Sequence, residues 1–131
     1  MEVPNAKGAT ALHTAAVMDN LPLARALIQR GASPSAKSSE GWTALHFTVA
    51  REATEVAALL ISKGVSLDAV TSRGDTALHL SAERGRVTLA KHLLSHGANT
   101  SIRNNDGKTA LQVAADGGKM ELAQLLHPPA Q

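Results

Sequence analysis

The chain has 131 residues, enough for one domain, and a hydrophobic fraction of 44% with only 2% aromatics, so its core must be built from Ala, Leu and Val packed at close range. A formal net charge of +2 points to neither nucleic acid nor a membrane surface. The absence of cysteine excludes disulfides and thiolate metal sites.

In chain order, the opening "MEVPNAKG" has no apolar run, so no secretory leader is expected. No stretch approaches the roughly 18 apolar residues of a membrane span. An intracellular protein, cytoplasmic or nuclear and monomeric, is the expectation. The first element pair opens at "GATALHTAA", where Thr10 is placed to N-cap a first helix with its hydroxyl. A second helix opens near Pro22, a residue tolerated in a first turn, and closes at Gly31. The polar stretch "GASPSAKSSE" then suits an extended, hairpin-like turn.

The same order returns at "GWTALHFTV" with Thr43 as cap, at "GDTALHLSA" with Thr76, and at "GKTALQVAA" with Thr109. Thr109 and Gln112 together fit a capping box. The phrases begin at Gly8, Gly41, Gly74 and Gly107, a constant spacing of 33 residues. Gly31, Gly64 and Gly97 keep that register, as do Leu27, Leu60, Leu93 and Leu126. A fixed period of this length predicts a solenoid. The reading is all-α: one domain over residues 1–131, four stacked helix-turn-helix units with hairpin-like β-turn loops, at about 7–39, 40–72, 73–105 and 106–127. One helix pair cannot bury its own apolar face. Stacking is expected to bury Leu12, Leu45, Leu78 and Leu111, together with Leu23, Val56, Leu89 and Leu122.

At these residues the chain resembles the ankyrin-repeat family, whose phrase is G-x-T-P-L-H-x-A-A followed by a helix ending L-L-x-x-G-A. "GxTALHxxA" stands here three times and "GKTALQVAA" once, and "LIQRGAS", "LISKGVS" and "LLSHGAN" complete three units. Ala replaces the family's Pro at all four sites, and Gln112 replaces the motif His. Asp19 and Glu52 stand where an inter-helix Gly is usual, whereas Gly85 and Gly118 keep it. Unit two, with Thr48 and Val49 in place of two alanines, is the least typical, and His127 near the end reads as part of a C-terminal cap or of a truncated repeat.

The resemblance implies a structural role for His13, His46 and His79: each imidazole bonds to its capping Thr and to nearby backbone. Stacked repeats lie ~8–10 Å apart, too far for the three to share a zinc ion with ligands at about 2.0–2.1 Å. His92 and His96 are four apart on a helix but have no evident third ligand. There is no nucleophile elbow and no P-loop, because "DGGK" lacks the outer Gly and the following Ser or Thr. "RGD" at Arg73–Asp75 resembles an adhesion tripeptide, but its Gly is the repeat Gly and assigns it to a hairpin. No catalytic residue, cofactor or metal is expected.

Function must therefore come from positions that the repeat leaves free. The family likeness implies a concave groove lined by hairpin tips and first helices. Register places Val17, Met18, Trp42, Arg51, Arg73, Asp75, Glu83, Arg84 and Lys108 there, with Glu40, Asp106 and Asp116 on the same positions. Phe47 reads as core. Trp42 shares its register with Asp75 and Lys108, so it reads as a solvent-facing interface anchor; the alternative is an indole folded against its own hairpin. Val17, Met18 and Trp42 are expected to form one apolar patch flanked by Arg51, suited to a partner with an apolar anchor and an acidic residue. The leading expectation is a non-catalytic protein–protein interaction module. The alternatives are nucleic-acid or nucleotide binding, with Trp42 stacking and Arg51, Arg73, Arg84, Arg86, Lys91 and Lys108 meeting phosphates, and inhibition of a protein kinase.

Overall fold

A computed structural model of the chain describes residues 6–126, with side chains from residue 11 onward, and is all-helical. The helices are α1 (Ala6–Met18), α2 (Leu21–Gln29), α3 (Ala44–Thr48), α4 (Thr54–Ser62), α5 (Ala77–Arg84), α6 (Val87–Ser95), α7 (Ala110–Asp116) and α8 (Met120–Leu126). The odd-numbered helices stack on one another as one layer and the even-numbered helices as a second. Loops carrying the hairpin tips join each even helix to the next odd one. Ala24, Ala57 and Ala90 are fully buried in one register of the second layer, which gives the close approach that small side chains permit.

Burial follows the stacking. Leu12, Leu45 and Leu78 are buried, as are Val56, Leu89 and Leu122. Two expected core residues are not. Leu23 is 39% exposed and Leu111 is half-buried. Leu23 lies on the first second-layer helix and Leu111 on the last first-layer helix, where each meets a described repeat on one side only.

The helix starts are satisfied locally. Thr43, Thr76 and Thr109 each accept the backbone N–H three residues on. In return His46 Nδ1, His79 Nδ1 and Gln112 Oε1 accept the N–H of those threonines, at 3.0, 3.0 and 2.9 Å. An amide can only donate, so Nδ1 is the acceptor in both rings and Nε2 carries the proton. His46 Nε2 then donates to the carbonyls of Ala69 and Asp75, at 3.1 and 3.0 Å. His79 Nε2 donates to Lys108 O at 2.9 Å, and His13 Nε2 to Ala36 O at 3.1 Å. One imidazole thus caps its own helix and grips the chain of the next hairpin. Thr10 is different: α1 runs back to Ala6, so Thr10 lies inside the helix and is not an N-cap. Ala6, Lys7 and Ala9 favour helix, and among the described residues no tip bonds hold this stretch extended as they do in later units. The side chain of Thr10, like His127, lies outside the described residues.

Unit two departs in a second way. Its first helix stops at Thr48 and continues as a single 3₁₀ turn, Val49–Arg51. Thr48 Oγ1 donates to Leu45 O, three residues back, at 2.6 Å. A short β-branched hydroxyl residue bonding its own helix disfavours a further α-turn there.

Asp19 and Glu52 explain themselves once the repeats are stacked. Both hold left-handed backbone, with φ of 53° and 54°, a conformation that costs a non-glycine residue about 1–2 kcal/mol. Asp19 Oδ1 accepts the N–H of Val56, the third residue of α4, at 3.1 Å. Glu52 Oε2 accepts the N–H of Leu89, the third residue of α6, at 3.2 Å. Each carboxylate therefore N-caps the second helix of the following repeat. The residues at the cap positions of α4 and α6, Ala53 and Arg86, provide no side-chain cap of their own. In unit one the cap is local: Asn20 Oδ1 accepts Leu23 N–H at 3.2 Å.

Two outcomes are expected. Asp19→Ala keeps the strained backbone and loses the cap, so it should lower stability by about 1–2 kcal/mol, with Asp19→Gly lying between it and the parent. Urea unfolding midpoints give the order, and an Ala variant as stable as the parent would refute the cross-repeat cap. Burial holds the pKa of both His13 and His46 below the usual 6.5, with their backbone acceptors opposing part of the effect. The unfolded chain therefore binds more protons just below that value. Stability is complete above about pH 6.5 and falls as pH drops through it. His46→Gln should start less stable, because the bonds from Nε2 are lost, yet show a shallower decline of Tm from about pH 7.5 to about pH 5.5. An unchanged slope would remove His46 from the effect.

Candidate functional site

The site is built on the hairpin tips. In each tip one backbone pair closes the turn: Ser38 N–H to Trp42 O, Thr71 N–H to Asp75 O, and Asn104 N–H to Lys108 O, at 2.8 to 3.0 Å. The side-chain oxygens of Ser38, Thr71 and Asn104 accept the N–H groups two and four residues on, which stiffens the turn from within. The tips also bond to one another. Ser72 N–H donates to Glu40 O at 3.0 Å, and Asn105 N–H to Arg73 O at 2.9 Å. Gly74, at φ +79°, has no room for a side chain, because a Cβ there would stand 2.9 Å from the backbone nitrogen of Asn105. The tip row is therefore rigid and closely spaced.

Between the tips and α5 and α7 lie two hollows. One, of about 390 Å³, runs beside Arg73, Asp75, His79, Glu83, Asn105, Asp106 and Lys108. The other, of about 480 Å³, runs beside Glu40, Trp42, Leu80, Glu83 and Arg84. Arg73, Asp75 and Glu83 line both, so the hollows are two stretches of one groove.

Trp42 stands at one side of this groove and is half-buried, not the fully solvent-facing anchor that its register implies. Its ring lies 5.0 Å from that of Phe47 and 5.9 Å from that of His46, and Phe47 in turn lies 4.8 Å from His13. Phe47 is half-buried as well, and not the enclosed core residue expected of it. The reason is shared: in a chain so poor in aromatics, two large rings on neighbouring turns cover one another's faces in preference to water. Part of the indole still faces the groove.

Arg73, Asp75, Glu83, Arg84 and Lys108 meet Trp42 along the groove, whereas Val17, Met18 and Arg51 line neither hollow. Met18 is 61% exposed, and of Val17, Met18 and Trp42 only Trp42 lines these hollows. Lys108 Nζ is paired with Asp116 at 2.6 Å, and this carboxylate raises the pKa of Lys108. Asp75 Oδ1 accepts from Asn104 Nδ2 at 2.9 Å. Among the described residues, the side chains of Glu40, Arg73, Glu83, Arg84 and Asp106 have no hydrogen bond or ion pair. Arg86 is not free: Nε and Nη2 donate to the carbonyls of Val49 and Ala50, at 2.9 and 2.6 Å.

Five carboxylates line the groove against three cations. Asn104, Asn105 and Leu80 also line it and were not singled out by register. Their signal was present: position 104 repeats a side-chain oxygen at the register of Ser38 and Thr71. Among the described residues no group of three or more His, Asp or Glu could hold a metal ion, and the His92 and His96 rings, 4.9 Å apart, remain a pair. No described helix is long and apolar enough to cross a membrane.

Comparison with known proteins adds one match. The sequence pattern of the family described as "Ankyrin repeats (3 copies)" matches residues 1–71 and again residues 67–130. No curated protein matches the chain.

Because Trp42 packs on Phe47 and His46, Trp42→Ala should cost about 1–3 kcal/mol of stability, and Trp42→Phe less than half of that. Chemical denaturation followed by circular dichroism measures both; an Ala variant with the parent's midpoint would show the ring contacts to be incidental.

Proposed function

The chain belongs to the ankyrin-repeat family, and from that premise we propose that it is a non-catalytic module that holds one partner protein or peptide in the groove between its hairpin tips and first helices. Ankyrin repeats are protein–protein interaction modules, so a protein partner is the general case. The finer reading, that Trp42, Arg73, Asp75, Glu83, Arg84 and Lys108 form the seat, rests on one observation. A half-exposed indole borders a groove in which Arg73, Glu83 and Arg84 have no partner among the described residues. Charged side chains left free beside an aromatic face fit a surface whose partners arrive from outside. The row of tips is already bonded, so binding would order little of this chain.

The groove speaks against the alternative of nucleic acid. Its carboxylates would face phosphates, and Arg86 is held by backbone. Phosphate binding would also weaken steeply with salt.

The test is a pull-down from cell extract with the parent chain and with a Glu40→Ala/Glu83→Ala variant, both residues being exposed. The variant should fold with the parent's Tm and recover its partner with at least about tenfold lower affinity, the loss expected when central charged groups of an interface are removed. Equal recovery by both chains would place the seat elsewhere.

A further inference from the structure

The charge of the groove runs against the charge of the chain. The whole sequence is formally +2, yet the groove lining carries five carboxylates and three cations. Pairing within the protein reduces the excess without removing it. Lys108 is neutralised by Asp116 at 2.6 Å, and Asp75 is engaged by Asn104. What remains unpaired among the described residues is Glu40, Glu83 and Asp106 against Arg73 and Arg84. Glu83 is central, because it is exposed and lines both hollows. At the near end stands the half-buried indole of Trp42, and Leu80 lines the same hollow. An indole face attracts ammonium and guanidinium groups as well as apolar side chains.

We propose that the groove takes a cationic, extended segment of a partner protein, with a Lys or Arg set against Glu83 and Asp106 and an apolar or cationic side chain against Trp42. This rests on the groove being the seat of binding and adds the chemistry of its occupant. A guanidinium reaching Glu83 would make a charge-assisted bond that no group of the chain itself supplies. Arg73 and Arg84 line the same hollow and limit how much positive charge the groove tolerates, so a mixed segment with a few cations fits better than a polycation.

The experiment is to pan a library of random displayed peptides against the folded full chain, then to titrate selected peptides using the fluorescence of Trp42, the only tryptophan. Selected sequences should be enriched in Lys and Arg over Asp and Glu, beside one apolar position. Their affinity should fall at least about tenfold in Glu83→Lys and should weaken as salt rises. The same charge change on the second layer, Glu55→Lys, should leave affinity within about twofold. Peptides that come out acidic and lose binding in Arg73→Glu would overturn the cationic assignment while keeping the groove as the seat. Peptides indifferent to both Glu83→Lys and Arg73→Glu, or no enrichment at all, would sink the groove reading together with this one.

Discussion

A single imidazole does two jobs in this structure, and the groove depends on both. His46 accepts the amide of Thr43 at Nδ1, which closes the start of α3, and donates from Nε2 to the carbonyls of Ala69 and Asp75, which hold the following hairpin. His79 repeats the arrangement toward Lys108. The ring is buried, so its bonds are made out of reach of competing water, and its neutral form is the one that the fold selects. Since Asp75 and Lys108 are groove positions, the bond that joins two repeats also fixes where the groove's charges stand.

The second layer is joined by a different device. A carboxylate in a left-handed turn reaches across to the third amide of the next helix, from Asp19 to α4 and from Glu52 to α6. The backbone strain at φ 53° and 54° is offset by a charged cap at a helix start, where a negative group is also favoured by the aligned peptide dipoles. Gly85 removes both the strain and the cap at the next junction. The union of units three and four therefore rests more on the first layer and the tips. Stability in such an array is a sum of neighbour terms, so these junctions need not be equal.

The tips combine stiffness with free charge. Their backbone is bonded within each turn and from turn to turn, and Gly74 lets two tips approach to a distance that no side chain would allow. The groove's side chains, by contrast, are left unpaired at Glu83, Arg73 and Arg84. Rigid backbone with unsatisfied exposed charges is an arrangement in which a ligand meets a surface already in place.

Much of the fold was legible in the sequence. The 33-residue period, the threonine caps and the leucine registers follow from the need of each helix pair for a neighbour, and that need is written in side-chain type and spacing. The same register marked Arg73, Asp75, Glu83 and Lys108 as groove positions. Other features required contacts between residues far apart in the chain. Register alone could not tell that Asp19 and Glu52 cap helices 37 residues on, that Trp42 leans on Phe47, or that Lys108 is consumed by Asp116. The net sign of the groove belongs to this second group, because it is decided by which charged side chains the stacked repeats bring to its lining. Periodicity is a local property of the chain, whereas pairing is a property of distances that exist only after the repeats have stacked.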